Sequence, residues 1–183
     1  MAGDGDCGET LLNGVGGLVK EFEQDTTGEV DIGHIFRRAA TVAEKKMGGT
    51  SGGIYAIFLN AVANSLTNTA IPKTNTSPDA AISSALKQGL EELCRYTPAR
   101  VGHRTLMDAL IPFIQVYSEG ASFVAAVDEA RKGAEGTRRM AAALGRASYV
   151  GQERFDEEGG IPDPGALGIV SILRGLQSVL EES

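Results

Sequence analysis

Almost every segment of this chain repeats its apolar residues at helical period, and no stretch alternates convincingly at period two. That pattern predicts an all-α fold, an antiparallel helical bundle or barrel of seven to eight helices. Composition points the same way. Aromatics make up 5% of the 183 residues and tryptophan is absent, so the core must be aliphatic and alanine-rich. Such a core suits close-packed helices better than a β-sandwich. A chain of this length favours one domain over two.

The helices can be followed in order. Leu11, Leu12, Val15, Leu18, Val19 and Phe22 share one stripe, giving an amphipathic helix from about Glu9 to Gln24. Asp31 caps a second helix with Ile32, Ile35, Phe36, Ala39, Ala40, Ala43 and Met47 inward. His34, Arg37 and Arg38 fall off that stripe and read as a solvated face. A third helix carries Tyr55, Phe58, Leu59, Val62 and Leu66. Ser77-Pro78 starts a fourth, with serine capping and proline first inside, and it runs to about Tyr96 with Ile82, Leu86, Leu90 and Leu93 inward. The fifth carries Leu106, Leu110, Phe113, Ile114 and Tyr117, with a kink expected at Pro112. A long sixth pattern runs from Phe123 to Leu144, with Gly145 as its C′ residue. Asp163-Pro164 opens the last helix, with Leu167, Val170, Leu173 and Leu180 facing inward.

Chemistry concentrates in the loops at helix starts. Gly3-Asp4-Gly5-Asp6-Cys7-Gly8 sets two carboxylates two residues apart among glycines. Two negative charges that close call for a cation between them, and oxygen ligands suit a hard divalent ion such as Mg2+. Gly48-Gly49-Thr50-Ser51-Gly52-Gly53 puts four glycines and two hydroxyls at a helix start, where free N–H groups and the positive end of the helix dipole favour an anion. It is not a Walker A loop, because the Gly-Lys-Ser/Thr ending is missing. Arg104 and Thr105 stand at the start of the fifth helix, and an arginine there can reach a phosphate or a carboxylate. If successive helices alternate in direction, the loops before helices one, three, five and seven share one end of the bundle. One composite site would then hold Asp4 and Asp6, Thr50 and Ser51, Arg104 and Thr105, and Asp163, Pro164 and Gly165.

Charge and hydropathy exclude other classes. A net charge of −7 argues against nucleic acid or an anionic membrane as a partner. It leaves ATP open, because a metal and a few local donors handle phosphates. Cys7 and Cys94 form no disulfide framework. No apolar run approaches a membrane span and no signal peptide is seen, so a cytoplasmic location is expected.

Taken together, these loops resemble those of the nucleotide-binding L domain of dihydroxyacetone kinases, in the ATP-dependent single-chain form. The matching stretches are Gly3 to Gly8, Gly48 to Gly52, Arg104 to Leu110, Gly133 to Thr137, Gly145 to Tyr149 and Asp163 to Ala166, in family order across nearly the whole chain. Cys7 looks like the ATP-using branch, since the phosphotransferase-coupled branch usually has histidine there. The resemblance implies an L domain over residues 1–183, a barrel of eight helices with ATP or ADP at one end. It implies Mg2+ on Asp4 and Asp6, with Gly5 and Cys7 in the same loop. Thr50 and Ser51 would contact phosphate. Arg104, Thr105, Asp163, Pro164 and Gly165 would line the nucleotide pocket. No side chain is assigned a catalytic role, because the chemistry is positioning and charge neutralisation at a transferring phosphoryl group.

The chain departs from the family at several points. The family's first helix and a third metal-binding aspartate lie upstream of the Gly-Asp-Gly-Asp motif, and the chain opens within that motif. Glu9 stands where threonine is common, Thr97-Pro98 replaces a glycine pair, and His103 replaces an aspartate. The substrate side is also absent: in the family a separate K domain holds the ketose covalently on a histidine, and neither His34 nor His103 matches it. The expected function is to donate the ATP γ-phosphate to dihydroxyacetone on a K domain in trans or in a parent chain, with no activity alone. The alternative is a truncated L-like module that folds and meets partners without productive Mg-nucleotide binding. The apolar groove left by the missing helix is a surface that a second copy could fill, giving a homodimer.

Overall fold

The computed structural model describes residues 6–24, 31–68, 77–142, 144 and 160–182. Among these it holds seven α-helices, one 3-10 turn and no strand, so the all-α expectation stands. The helices are α1 (Cys7–Glu23), α2 (Ile32–Lys46), α3 (Gly49–Asn68), α4 (Pro78–Tyr96), α5 (Met107–Ser118), α6 (Phe123–Gly136) and α7 (Pro164–Glu182), with the 3-10 turn at Thr137–Arg139. None of them is long and apolar enough to cross a membrane.

Polar caps set four of the starts. Asp31 accepts from the Gly33 and His34 amides at 2.8 and 3.3 Å. Ser77 accepts from Ala80 N at 3.2 Å, with Pro78 first inside α4. Ser122 accepts from Ala125 N at 3.2 Å. Asp163 accepts from Ala166 N at 2.9 Å, with Pro164 first inside α7. Each cap satisfies an amide that the helix leaves without a partner and is worth about 1 kcal/mol.

The chain divides into two compact units, Glu9–Thr97 and Met1–Gly8 with Pro98–Ser183. In the first, which we call the α2–α4 unit, α3 packs against α2 and against α4. Its core is made of small and aliphatic residues: Ala40, Ala43, Met47, Val62, Ala63, Ala85 and Leu93. The expected inward stripe of α1 is not inward. Leu12 is 74% exposed, Val15, Val19 and Phe22 are also exposed, and Gly14 is the one buried residue of the helix. A Cβ at Gly14 would run into Met47, and one at Gly17 into Val42. Glycines therefore form the contact surface of α1, and Leu11 alone of the expected stripe packs onto the Ala43–Met47–Ala56 cluster. Nor is Arg38 simply solvated. It donates from Nε to Glu21 Oε1 at 3.3 Å and from Nη2 to Glu21 O at 2.5 Å, and its guanidinium lies 4.6 Å from the centre of the Phe22 ring. It brackets the end of α1 to α2.

In the α5–α7 unit, α5, α6 and α7 pack against one another. Phe113, Tyr117 and Phe123 form an aromatic triangle with ring centres 5.5 to 5.9 Å apart. Residues Met107 to Ile111, Phe113 and Ile114 are all buried, so α5 is the central element. α6 passes so close to it that a Cβ at Gly133 would overlap the carbonyl of Asp108. Pro112 withholds the amide that would normally bond that carbonyl, and the glycine occupies the space. α7 buries Ala166, Gly168, Ile169, Val170 and Leu173. Leu167 and Leu180, expected inward, are exposed.

Two further expectations are corrected. α6 stops at Gly136 instead of running to Leu144, because Thr137 turns its hydroxyl onto Ala134 O at 2.6 Å and the chain tightens into the 3-10 turn. Of five side chains expected to dominate the core, Phe58 and Phe113 are buried, whereas Leu11, Phe36 and Leu86 are half-buried.

Candidate functional site

The loop before α5 is built by its own helix. Asp108, 1% exposed, accepts from Gly102 N at 2.6 Å on Oδ1 and from Thr105 N at 2.8 Å on Oδ2. Thr105 Oγ1 in turn accepts from Met107 N at 3.2 Å. Thr105 and Asp108 thus form a capping box, each serving amides near the other. Between the two bonded amides the chain makes a sharp turn, with Gly102 at φ +94° and Arg104 at φ +57°. Arg104 is the one described non-glycine residue in the left-handed region, a conformation that costs on the order of 1 kcal/mol or more and needs support from its surroundings. His103 Nδ1 accepts from Arg100 N at 3.3 Å and adds to the same turn.

That backbone sends the Arg104 side chain inward. The residue is 0% exposed and donates from Nη2 to Ile161 O at 2.8 Å. Burial pushes its pKa down, and the nearby Asp163 charge opposes the shift. Ile161 belongs to the segment leading into α7, which is fastened at two more points. Arg138 Nη1 donates to Gly160 O at 3.1 Å, and Asp163 N donates to Thr137 Oγ1 at 2.7 Å. Asp163 is itself buried. Burial pushes its carboxyl above the ordinary aspartate value, while the Ala166 amide, the Arg104 charge and the Gly165 amide pull it back, and Asp108 adds to the rise. Gly165 lies against Leu106, so the α7 start meets the loop of α5.

Cys7 opens α1 in the same unit. Burial raises its thiol pKa first, followed by the charges of Asp163 and Asp6. The structure therefore gathers Asp6, Cys7, Arg104, Thr105, Asp163, Pro164 and Gly165 into one unit. Thr50 and Ser51 lie in the other, in the first turn of α3, with Thr50 exposed and Ser51 half-buried. Asp4, Gly5 and the expected stretch from Gly145 to Tyr149 lie outside the described residues.

The donor set fits a hard cation in kind. Asp6 is exposed and offers carboxylate oxygen. The raised thiol keeps Cys7 protonated, so it does not compete as a soft thiolate ligand. Among the described residues, no group of three or more His, Cys, Asp or Glu is placed to hold a metal ion. The residue that sequence reasoning left out of the site is Asp108. Its signal was present as Thr105-x-x-Asp108, the capping-box spacing.

A helical domain with polar loops fixed at its helix starts is the class that fold and site define. The DAK2 domain model matches residues 1–178, and the chain belongs to the DAK2 domain family. It is 41% identical over 180 residues to "Dihydroxyacetone kinase" of Komagataella pastoris, covering 96% of this chain and 30% of that protein. It is 41% identical over 178 residues to "Dihydroxyacetone kinase 2" of Saccharomyces cerevisiae, again covering 96% and 30%. With human "Triokinase/FMN cyclase" it shares 35% over 188 residues, covering 98% and 31%. The chain thus spans about 30% of the length of the curated relatives it matches. Among solved structures, the dihydroxyacetone kinase of C. freundii aligns with a TM-score of 0.72 at 24% identity in its native form, covering 96% of this chain and 29% of that one. The form in complex with AMP-PNP and Mg2+ aligns with a TM-score of 0.70, covering 96% and 28%. These two likenesses concern the fold.

Proposed function

We propose that this chain is the ATP-binding phosphoryl-donor domain of a dihydroxyacetone kinase. The observation that carries the reading is the identity of 41% sustained over 180 residues to a protein of that name. The nucleotide would be ATP or ADP with Mg2+, as the C. freundii complex with AMP-PNP and Mg2+ suggests. Asp4 and Asp6 would hold the metal, with Gly5 and Cys7 beside it. Thr50 and Ser51 would meet phosphate through the amide-rich start of α3. Thr105, with Asp163, Pro164 and Gly165, would line the pocket, and Arg104 would shape it from beneath. Mg2+ supplies charge neutralisation at the phosphates when bound.

The acceptor, dihydroxyacetone, would sit on a separate K domain, consistent with a match to less than a third of each relative. On this reading the chain alone turns nothing over, works in the cytoplasm and adds to glycerol metabolism only with its partner. Titration calorimetry tests the reading. Mg-ADP should release heat with the folded chain, and Asp4→Asn with Asp6→Asn should abolish it at unchanged helicity. A folded wild-type chain that gives no heat with Mg-ADP or Mg-ATP would sink the proposal and leave the binding-only module.

A further inference from the structure

We infer that Asp108 is the positioning residue of the nucleotide loop, acting through Arg104 and Thr105; the inference rests on the function proposed above. Three observations converge. Both carboxylate oxygens of Asp108 are committed to amides that bracket the turn, Gly102 N at 2.6 Å and Thr105 N at 2.8 Å. The intervening Arg104 adopts a left-handed backbone that its side chain disfavours, and Gly102 is left-handed too. The anchor cannot drift, because the Asp108 carbonyl sits where Gly133 of α6 leaves room for no added atom.

The geometry extends beyond the loop. Holding Arg104 left-handed aims its guanidinium at Ile161 O, 2.8 Å away, in the segment that leads to Asp163 and the first turn of α7. Leu106, one residue past Thr105, lies against Gly165. A single buried carboxylate therefore fixes both segments proposed to line the pocket, and it does so without facing the ligand. An ionised carboxylate accepts only. An amide in its place turns a donor toward one of the two backbone donors and frees part of the turn.

The test measures Mg-ADP affinity of the full chain by calorimetry at a temperature well below unfolding. Asp108→Asn should weaken binding roughly tenfold or more, and Asp108→Glu, which keeps both acceptors, should recover part of the loss. Val127→Ala, in the buried face of α6, is the control: it should lower the unfolding temperature and leave affinity unchanged. Undiminished affinity in folded Asp108→Asn overturns the inference alone, whereas a wild-type chain that binds no nucleotide removes the inference together with the function beneath it. Should the variants fail to fold, hydrogen exchange on the wild type decides. The Gly102 and Thr105 amides should exchange about a hundredfold more slowly than unstructured ones, and unprotected exchange would refute the role of Asp108.

Discussion

The two units of this chain are held by different means. The α2–α4 unit is sealed by small side chains, with Gly14 and Gly17 on α1 and Ala40, Ala43, Ala63 and Ala85 inside. The buried polar residues of the described chain, Arg104, Asp108, Thr137 and Asp163, all belong to the α5–α7 unit. Close apolar packing lets helices approach but tolerates adjustment. A buried hydrogen-bonded network is directional, and leaving any member without its partner is costly. Loop geometry is thus specified most tightly in the α5–α7 unit, where Arg104 and Asp163 meet Asp108 and Thr137.

This contrast can be tested at graded depths. The largest effect should come from the α2–α4 core: Leu93→Ala, at a fully buried position, should cost roughly 2–5 kcal/mol in denaturant unfolding. A value near zero would mean that small-residue packing does not hold this unit. Next, Thr137→Val should cost about 1–3 kcal/mol, because it leaves the Asp163 amide without its acceptor. A cost no greater than that of an ordinary surface change would deny the network its role. Smaller still is the pH effect of Asp163. Its carboxyl is raised by burial, so folding favours the protonated form. Its contribution is present at acid pH and is lost as pH rises from the ordinary aspartate range through the raised value. Asp163→Asn, which keeps a capping oxygen, should therefore gain stability relative to wild type between pH 4 and 7. The smallest effect belongs to the outward face of α1: Leu12→Ser and Val19→Ser should stay within about 0.5 kcal/mol of wild type.

Much of this was readable beforehand, for local reasons. Asp31, Ser77-Pro78 and Asp163-Pro164 announce helix starts because capping needs only a side chain and the next three amides. Facing was harder. Periodicity placed Leu12, Val15 and Val19 inward by counting branched carbons, whereas close approach of α1 is made where side chains are missing, at Gly14 and Gly17. The end of α6 was misplaced because Thr137 receives an amide from a residue 26 positions away, and no window along the chain contains that bond. The candidate site was legible as a set of loops. The support beneath it was not, since Asp108 and Arg104 act from the interior, and an aspartate or arginine in sequence gives no sign of being buried.

The fastening of Arg138 to Gly160 has a consequence for how the chain tolerates change. Gly160 is left-handed at φ +88°, and a Cβ there would press on the Arg138 carbonyl, so the two backbones touch at positions 22 residues apart. The peptide between them leaves and returns through one narrow neck. The entropy of closing such a detour grows only slowly with its length. A tag or fluorophore spliced into it would then leave α6 and α7 where they are, making the neck a natural place to graft a reporter.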